Sequence, residues 1–326
     1  MWNRPRDNAI QSESGPRLPG VVDSIGIGYE TLLARPHLIV PPVLLDLYLW
    51  LGVHVTSESL TLKFGQWLRD LKIGNDDAIR QIEQGGPGNI SELAAVWLPT
   101  VRMPSFVAAL SEDTAYRLEY WRPAITLPWW GVLVMAVLLL VIGFLIGAEY
   151  LLAIAATATG REASPLHRPF RDTIEGAVRL VGWLCLLGAL ALLITWPLLT
   201  GIAVATVSGA GASFWLVLML IIPISWGFVF FFFSVQAMFV DRLGPVKSLR
   251  SSYRVVRSDF WRSIGIVCAY LLVIFGFPQV WRVFITEPLG LAVAIVGHAI
   301  VGTGMIAATM VFYRDRARQL SIAGRI

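Results

Sequence analysis

"DRLGPVKSLRSSYRVVRSDFW", residues 241–261, sets five Lys and Arg, with Arg262 directly after as a sixth, between two of the most apolar runs of the chain. After Gly244-Pro245 the apolar residues Val246, Leu249, Tyr253, Val256 and Phe260 recur at steps of three and four, which is one stripe of an α-helix. Lys247, Arg250, Arg254 and Arg257 fall on the flanks and back of that stripe. A basic amphipathic helix that follows a spanning segment is the pattern of a helix lying in a membrane interface, where each Lys or Arg adds about 1 kcal/mol of attraction to an anionic leaflet. Residues 245–260 are therefore expected as an interfacial helix that anchors and orients the fold against the headgroups. Its four cations are expected to contact lipid or an acidic partner.

The composition around this strip agrees. Of 326 residues 56% are hydrophobic and 15% charged, with a mean hydropathy of +0.66. Soluble domains are roughly half apolar and a quarter charged, so this chain reads as an all-α integral membrane protein. Six apolar runs, 37–55, 128–156, 178–206, 213–240, 263–285 and 289–313, each approach the ~20 helical residues that cross a hydrocarbon core. The first is interrupted by Pro36, Pro41 and Pro42 and carries Asp46. The joints at 207–213 and 286–288 read as tight turns.

Lys and Arg set the orientation. With the N-terminus in the cytoplasm, 18 of the 26 basic residues lie on the inner side, and seven of the other eight lie in one long loop that largely escapes the rule. Trp50, Trp129, Trp130, Trp215 and Trp281 fall near outer helix ends, and Trp183 and Trp261 near inner ends. The expected organisation is a disordered cytoplasmic tail (1–20), an amphipathic helix and first span (21–55), an extracytoplasmic helical insertion (56–127), spans two to six (128–313) and a cytoplasmic tail (314–326). The setting is a prokaryotic cytoplasmic (inner) membrane, multi-pass, with both termini inside.

In 56–127, Leu60, Phe64, Trp67, Leu68 and Leu71 repeat at helical spacing, 75–86 reads as a second short helix, and Ser91 and Ser105 are candidate caps for others. Acidic and basic residues are mixed there, as on a solvated face, and a cap resting on the outer leaflet is expected. The 3, 4, 3 spacing recurs at Val22, Ile25, Tyr29 and Leu32, and 169–183 also begins at a Pro with Arg171, Glu175 and Arg179 along one side.

"GYETLLARPHLIVPPVLL" (28–45) and "FVDRLGPVKSLRSSYRVVRSDFWRSIGI" (239–266) resemble the broad group of six-helix prokaryotic membrane proteins that includes the membrane domain attached to some glycerophosphodiester phosphodiesterases. The resemblance implies a six-helix fold. The 56–127 insertion departs from the group's compact pattern, and without a phosphodiesterase domain no hydrolase activity carries over.

Asp46 in the first span, Glu149 in the second and His298 in the sixth are the intramembrane polar residues that could form a proton or cation path, since a carboxylate at the centre of a span costs ~2.5–3.5 kcal/mol. The alternative is structural: Asp46 pairs with an Arg or a neighbouring backbone, Glu149 reaches the interface, and His298 bonds between helices. GASF (211–214) lacks the nucleophile context of a Ser/His intramembrane protease. Cys185 and Cys268 lie in apolar runs and read as small buried hydrophobes, not as a disulfide or metal site. Gly143 with Gly147, Gly201 with Ala205, and Gly297, Gly302 and Gly304 read as helix-packing positions, with a homo-oligomer interface as the second reading. Pro197, Pro223 and Pro278 are candidate kinks. The functional expectation is a scaffold, accessory subunit or assembly factor without catalytic activity, metal, cofactor or nucleic acid. Its expected partners are anionic lipids and a membrane protein; the rival is a transporter or lipid-handling permease built on Asp46, Glu149 and His298.

Overall fold

A computed structural model describes residues 18–72, 76–84, 102–110, 124–161, 170–207, 213–285 and 287–322. The expected tail to residue 17, Ser91, the 208–212 joint and residues 323–326 lie outside this set. The architecture is all-α. Five helical runs are long and apolar enough to cross a membrane, and a sharply bent pair makes a sixth if counted as one span.

The helices are α1 (Val21–Leu33), α2 (Val40–Leu51), α3 (Glu58–Asp70), α4 (Asp76–Gln84), α5 (Trp129–Ala158), α6 (Phe170–Val207), α7 (Ser213–Phe231), α8 (Ser234–Val240), α9 (Pro245–Ser258), α10 (Phe260–Leu271), α11 (Phe277–Trp281) and α12 (Pro288–Ile322). Helix α12 is the most enclosed of the long helices, and α5 and α6 expose broad apolar faces. The small residues of α12 let neighbours approach closely. A Cβ on Gly28 of α1 would lie 2.5 Å from the Ala308 nitrogen, and the Tyr29 ring rests on Gly304 while its hydroxyl donates to Val301 O at 2.9 Å. Helix α1 thus runs antiparallel along α12.

The first expected span, 37–55, is shorter than expected, since its helix ends at Leu51 and a strand starts at His54, and it follows α1 through a sharp bend. Pro36 disfavours helical geometry for the residue before it, and Arg35 sits at φ −140° and ψ 70°. A single 3₁₀ turn, Pro36–Ile39, then leads into α2, and this arm, Pro36–Leu51, makes a 98° bend with α1. Helix α2 has 12 residues, about 18 Å, and is too short to cross ~30 Å alone.

Other boundaries move as well. The amphipathic segment at 170–179 continues directly into the third span as the single 38-residue helix α6. The tail expected from 314 is helical to Ile322, because α12 continues for 35 residues. The fifth span contains a π-helical turn at Leu272–Gly276 just before Pro278.

The fourth span breaks at Phe232–Phe233. Residues adjacent in a regular helix diverge, and the break turns both rings inward: Phe232 packs edge-on against Tyr270 at 5.1 Å and Phe233 stacks on Phe312 at 5.4 Å. In an apolar interior each backbone group freed by such a break costs several kcal/mol if left bare. Here side chains supply the partners. Ser252 Oγ donates to Phe230 O at 2.7 Å and accepts from Phe233 N at 3.0 Å, Ser234 Oγ donates to Phe231 O at 2.6 Å, and the Arg102 guanidinium donates to Phe232 O.

Helix α9 forms over Pro245–Ser258, within the expected 245–260. Its buried residues are Ser248, Ser252, Val255 and Val256, while Val246 is 69% and Tyr253 42% exposed. Ser252 on this face supplies the donor and the acceptor that the α7–α8 break needs. Two short parallel strands, His54–Thr56 and Ala124–Thr126, bring the ends of the 56–127 insertion together, and Ser59 Oγ donates to Leu127 O at 2.6 Å beside them.

Candidate functional site

Residues 102–106 belong to the insertion expected to rest outside the bundle, yet all five are buried within it. Pro104 seats on Gly302 of α12, where a glycine Cβ would lie 2.4 Å from the proline Cβ. Phe106 packs with Leu291, Ala294 and Ile295 of α12 and with Val43 and Trp50 of α2. This strap ends in a 3₁₀ turn, Val107–Ala109. The first amides of such a turn have no partner within it, and Asp46 provides one from α2. Its carboxylate accepts from Phe106 N at 2.8 Å, from Val107 N at 3.3 Å and from the Ser105 hydroxyl. Ser105 Oγ in turn accepts from Ala108 N at 3.1 Å.

His298 lies on α12 beside the same strap, 1% exposed, with its ring centroid 6.0 Å from that of Phe106. Its Nδ1 has no partner among the described residues. Asp46 and His298 therefore both meet Phe106. Glu149 does not join them: it is half-buried on α5 and accepts from Thr173 of α6 at 2.7 Å.

Arg102, one of the mixed charges expected on the solvated face of 56–127, is 8% exposed and has φ 53°. Left-handed geometry is uncommon for a non-glycine residue, and here it turns the guanidinium onto the Phe232 ring at 4.3 Å and the Tyr270 ring at 5.8 Å. Arg316 is likewise internal, at 1% exposure. It pairs with Asp259 at 3.2 Å, donates to Pro19 O at 3.1 Å and covers the Phe312 ring at 3.4 Å. Three residues earlier on α12, the Tyr313 hydroxyl donates to Asp241 at 2.6 Å and shares a 2.7 Å bond with Ser251. Asp241 and Asp259 flank α9, so α12 holds that helix at both ends. Neither Arg carries a signal in the sequence, because a loop Arg and a tail Arg normally stay in water.

The basic end holds both paired and unpaired cations, and exposed Arg318 belongs to the unpaired set among the described residues. Arg171, Arg179, Arg242, Arg262, Arg314 and Arg316 each form an ion pair. Among the described residues none of Lys247, Arg250, Arg254 and Arg257 does.

Remaining expectations divide. Gly297 lies against Trp281 and Gly147 is buried, but the position of a Cβ on Gly143 meets nothing within 4 Å, so Gly143 faces outward rather than into the bundle. Cys185 and Cys268 are exposed on the apolar surface, not buried. Trp183 is an interior residue rather than an interface marker, and its indole donates to Ser234 Oγ at 2.8 Å. Among the described residues no group of three or more His, Cys, Asp or Glu is placed to hold a metal ion. The chain matches no protein-family model, no curated protein and no solved structure.

Proposed function

We propose that this chain is a multi-pass membrane protein acting as a scaffold, accessory subunit or assembly factor rather than as a catalyst or carrier. The observation that supports it is the occupancy of Asp46. Its carboxylate accepts three bonds from the strap, so the intramembrane acid best placed for a transport path serves as a structural cap. A carrier needs a group that changes partners during its cycle. Releasing Asp46 would strand two backbone amides in the bundle.

The same reading takes α1–α2 as one broken crossing, giving six. Pro19 and Arg316 meet, so the two ends of the described chain share one end of the bundle, as an even number of crossings requires. The unpaired cations of α9 lie on the neighbouring elbow and support a cytoplasmic assignment for that end, in a prokaryotic inner membrane. The six-helix group that the sequence resembles is compatible with this arrangement and adds no activity to it.

The test is mass spectrometry of the proteins that co-purify with the tagged chain in mild detergent, together with flux assays in proteoliposomes. A stoichiometric protein partner retained by an Asp46→Asn variant supports the scaffold reading. A solute flux in the wild type that Asp46→Asn or Glu149→Gln abolishes without loss of folding would replace it with the transporter.

A further inference from the structure

One corner of the basic end combines three features that meet nowhere else among the described residues: unpaired cations, exposed aromatic rings and a helix whose polar packing face is already used inside the protein. The buried side of α9 is its serine and valine face. Lys247, Arg250, Arg254 and Arg257 lie on the opposite side of the helix, and they lack the acidic partners that six neighbouring arginines have. Four like charges within eleven residues repel one another unless a counter-charge covers them.

Between the buried and basic faces runs a third strip. Tyr253 stands on it, three residues after Arg250 and four before Arg257, so both cations flank its ring along the helix surface. The ring lies 5.2 Å from Phe230 of α7, which is 5.9 Å from Trp226 and 6.4 Å from Phe260. Phe260 in turn lies 6.0 Å from Trp226 and 5.4 Å from Trp261. Trp226 is 49% exposed, Trp261 80% and Val246 69%. Such rings, open on one side at the end of an apolar helix, suit the level where acyl chains give way to headgroups.

We infer that this corner is a binding site for one acidic phospholipid. Its phosphate sits between Arg250 and Arg257, with Lys247 and Arg254 supplying the surrounding field, and its glycerol and upper acyl chains lie on Tyr253, Phe230, Trp226 and Phe260. Charge complementarity argues for the acidic headgroup, since guanidinium groups suit phosphate oxygens. The aromatic floor argues for a lipid rather than a soluble phosphate. The inference goes beyond the proposed function and holds for a scaffold or a carrier alike.

The experiment is thermal unfolding of the full-length protein in an uncharged detergent with added phosphatidylglycerol, phosphatidylcholine or soluble glycerol phosphate. Phosphatidylglycerol is expected to raise Tm, and the other two are expected to leave it where it was. Arg250→Gln with Arg257→Gln removes at least half of the rise while keeping the Tm measured in phosphatidylcholine. Arg171→Gln, which removes an exposed but paired cation, keeps the full rise. Native mass spectrometry provides a second reading, with one retained phosphatidylglycerol on the wild type and none on the double variant. A full rise in the double variant overturns the site, as does an equal rise with glycerol phosphate, which would mark a simple phosphate site. Should the double variant lose Tm in phosphatidylcholine, Tyr253→Ala replaces it, and an undiminished rise there also overturns the inference.

Discussion

Arg316 Nη2 and Asp259 Oδ2 are 3.2 Å apart, and the same guanidinium nitrogen donates to Pro19 O at 3.1 Å. One buried side chain thereby joins the start of α1, the α9–α10 elbow and the end of α12. The Asp259 carboxylate also lies 3.6 Å from Arg262.

Removing one member of this pair is expected to be costly. Arg316→Met leaves Asp259, which is 24% exposed and still near Arg262, only partly compensated, and the loss is expected to fall below the ~3–5 kcal/mol of a fully buried pair. The double variant Arg316→Met with Asp259→Leu removes both charges and is expected to lose less than the sum of the two single variants. Equilibrium unfolding in detergent with a denaturant series measures all four proteins.

Ser252 and Ser248 lie one turn apart on the buried face of α9 but do different things. Ser252 repairs the α7–α8 break through two bonds, while the Ser248 hydroxyl donates only to Pro245 O in its own helix. Ser252→Ala strands Phe233 N and Phe230 O and is expected to cost ~1–3 kcal/mol for each group left bare. Ser248→Ala is expected to stay within about 0.5–1.5 kcal/mol, the net value of one ordinary bond. Comparison of the two unfolding midpoints decides it.

Glycine substitutions separate packed positions from lipid-facing ones. Gly302→Val drives a side chain into Pro104 and is expected to lower Tm and displace the strap, and overpacking of this kind typically costs ~1–3 kcal/mol. Gly143→Val adds its methyl groups to open space and is expected to leave Tm unchanged. Thermal unfolding of both variants checks the contrast.

The apolar runs that set the fold class are legible in the sequence because hydropathy over ~20 residues reports membrane residence directly. What interrupts those runs is not legible. The break at Phe232 exists because Ser252, Ser234 and Arg102 arrive from elsewhere to bond the freed groups, and a hydropathy profile contains nothing about partners distant in sequence. The bend between α1 and the first span has a local reason that is written in the chain, the Pro36 that forces Arg35 out of helical geometry. Asp46 and His298 are visible as polar residues in apolar segments, and an interaction of Asp46 with neighbouring backbone is one of the two readings they allow. That the partner of Asp46 lies in the 102–110 strap is hidden, since VRMPSFVAA is too short to read as a span and sits in a segment whose charges are mixed. The stripe on α9 is legible as one face of a helix, but Val246 and Tyr253 stay exposed on it, and periodicity alone does not say whether a stripe packs inside the protein or lies on its surface.

Asp46 holds the 102–110 strap inside the bundle, and the rest of the functional reading depends on that hold. Met103 is 6% exposed there, whereas Phe64 on α3 is 45% exposed. With Cys185 and Cys268 replaced by Ala, the direct measurement is the maleimide labelling rate of Met103→Cys in the folded protein, with and without Asp46→Ala, using Phe64→Cys as the accessible reference. The thiol introduced at position 103 is expected to be protected while Asp46 is present, and to approach the labelling rate of the thiol at position 64 when Asp46 is replaced. Equal labelling at the two positions in the presence of Asp46, or undiminished protection of position 103 in its absence, would contradict the hold.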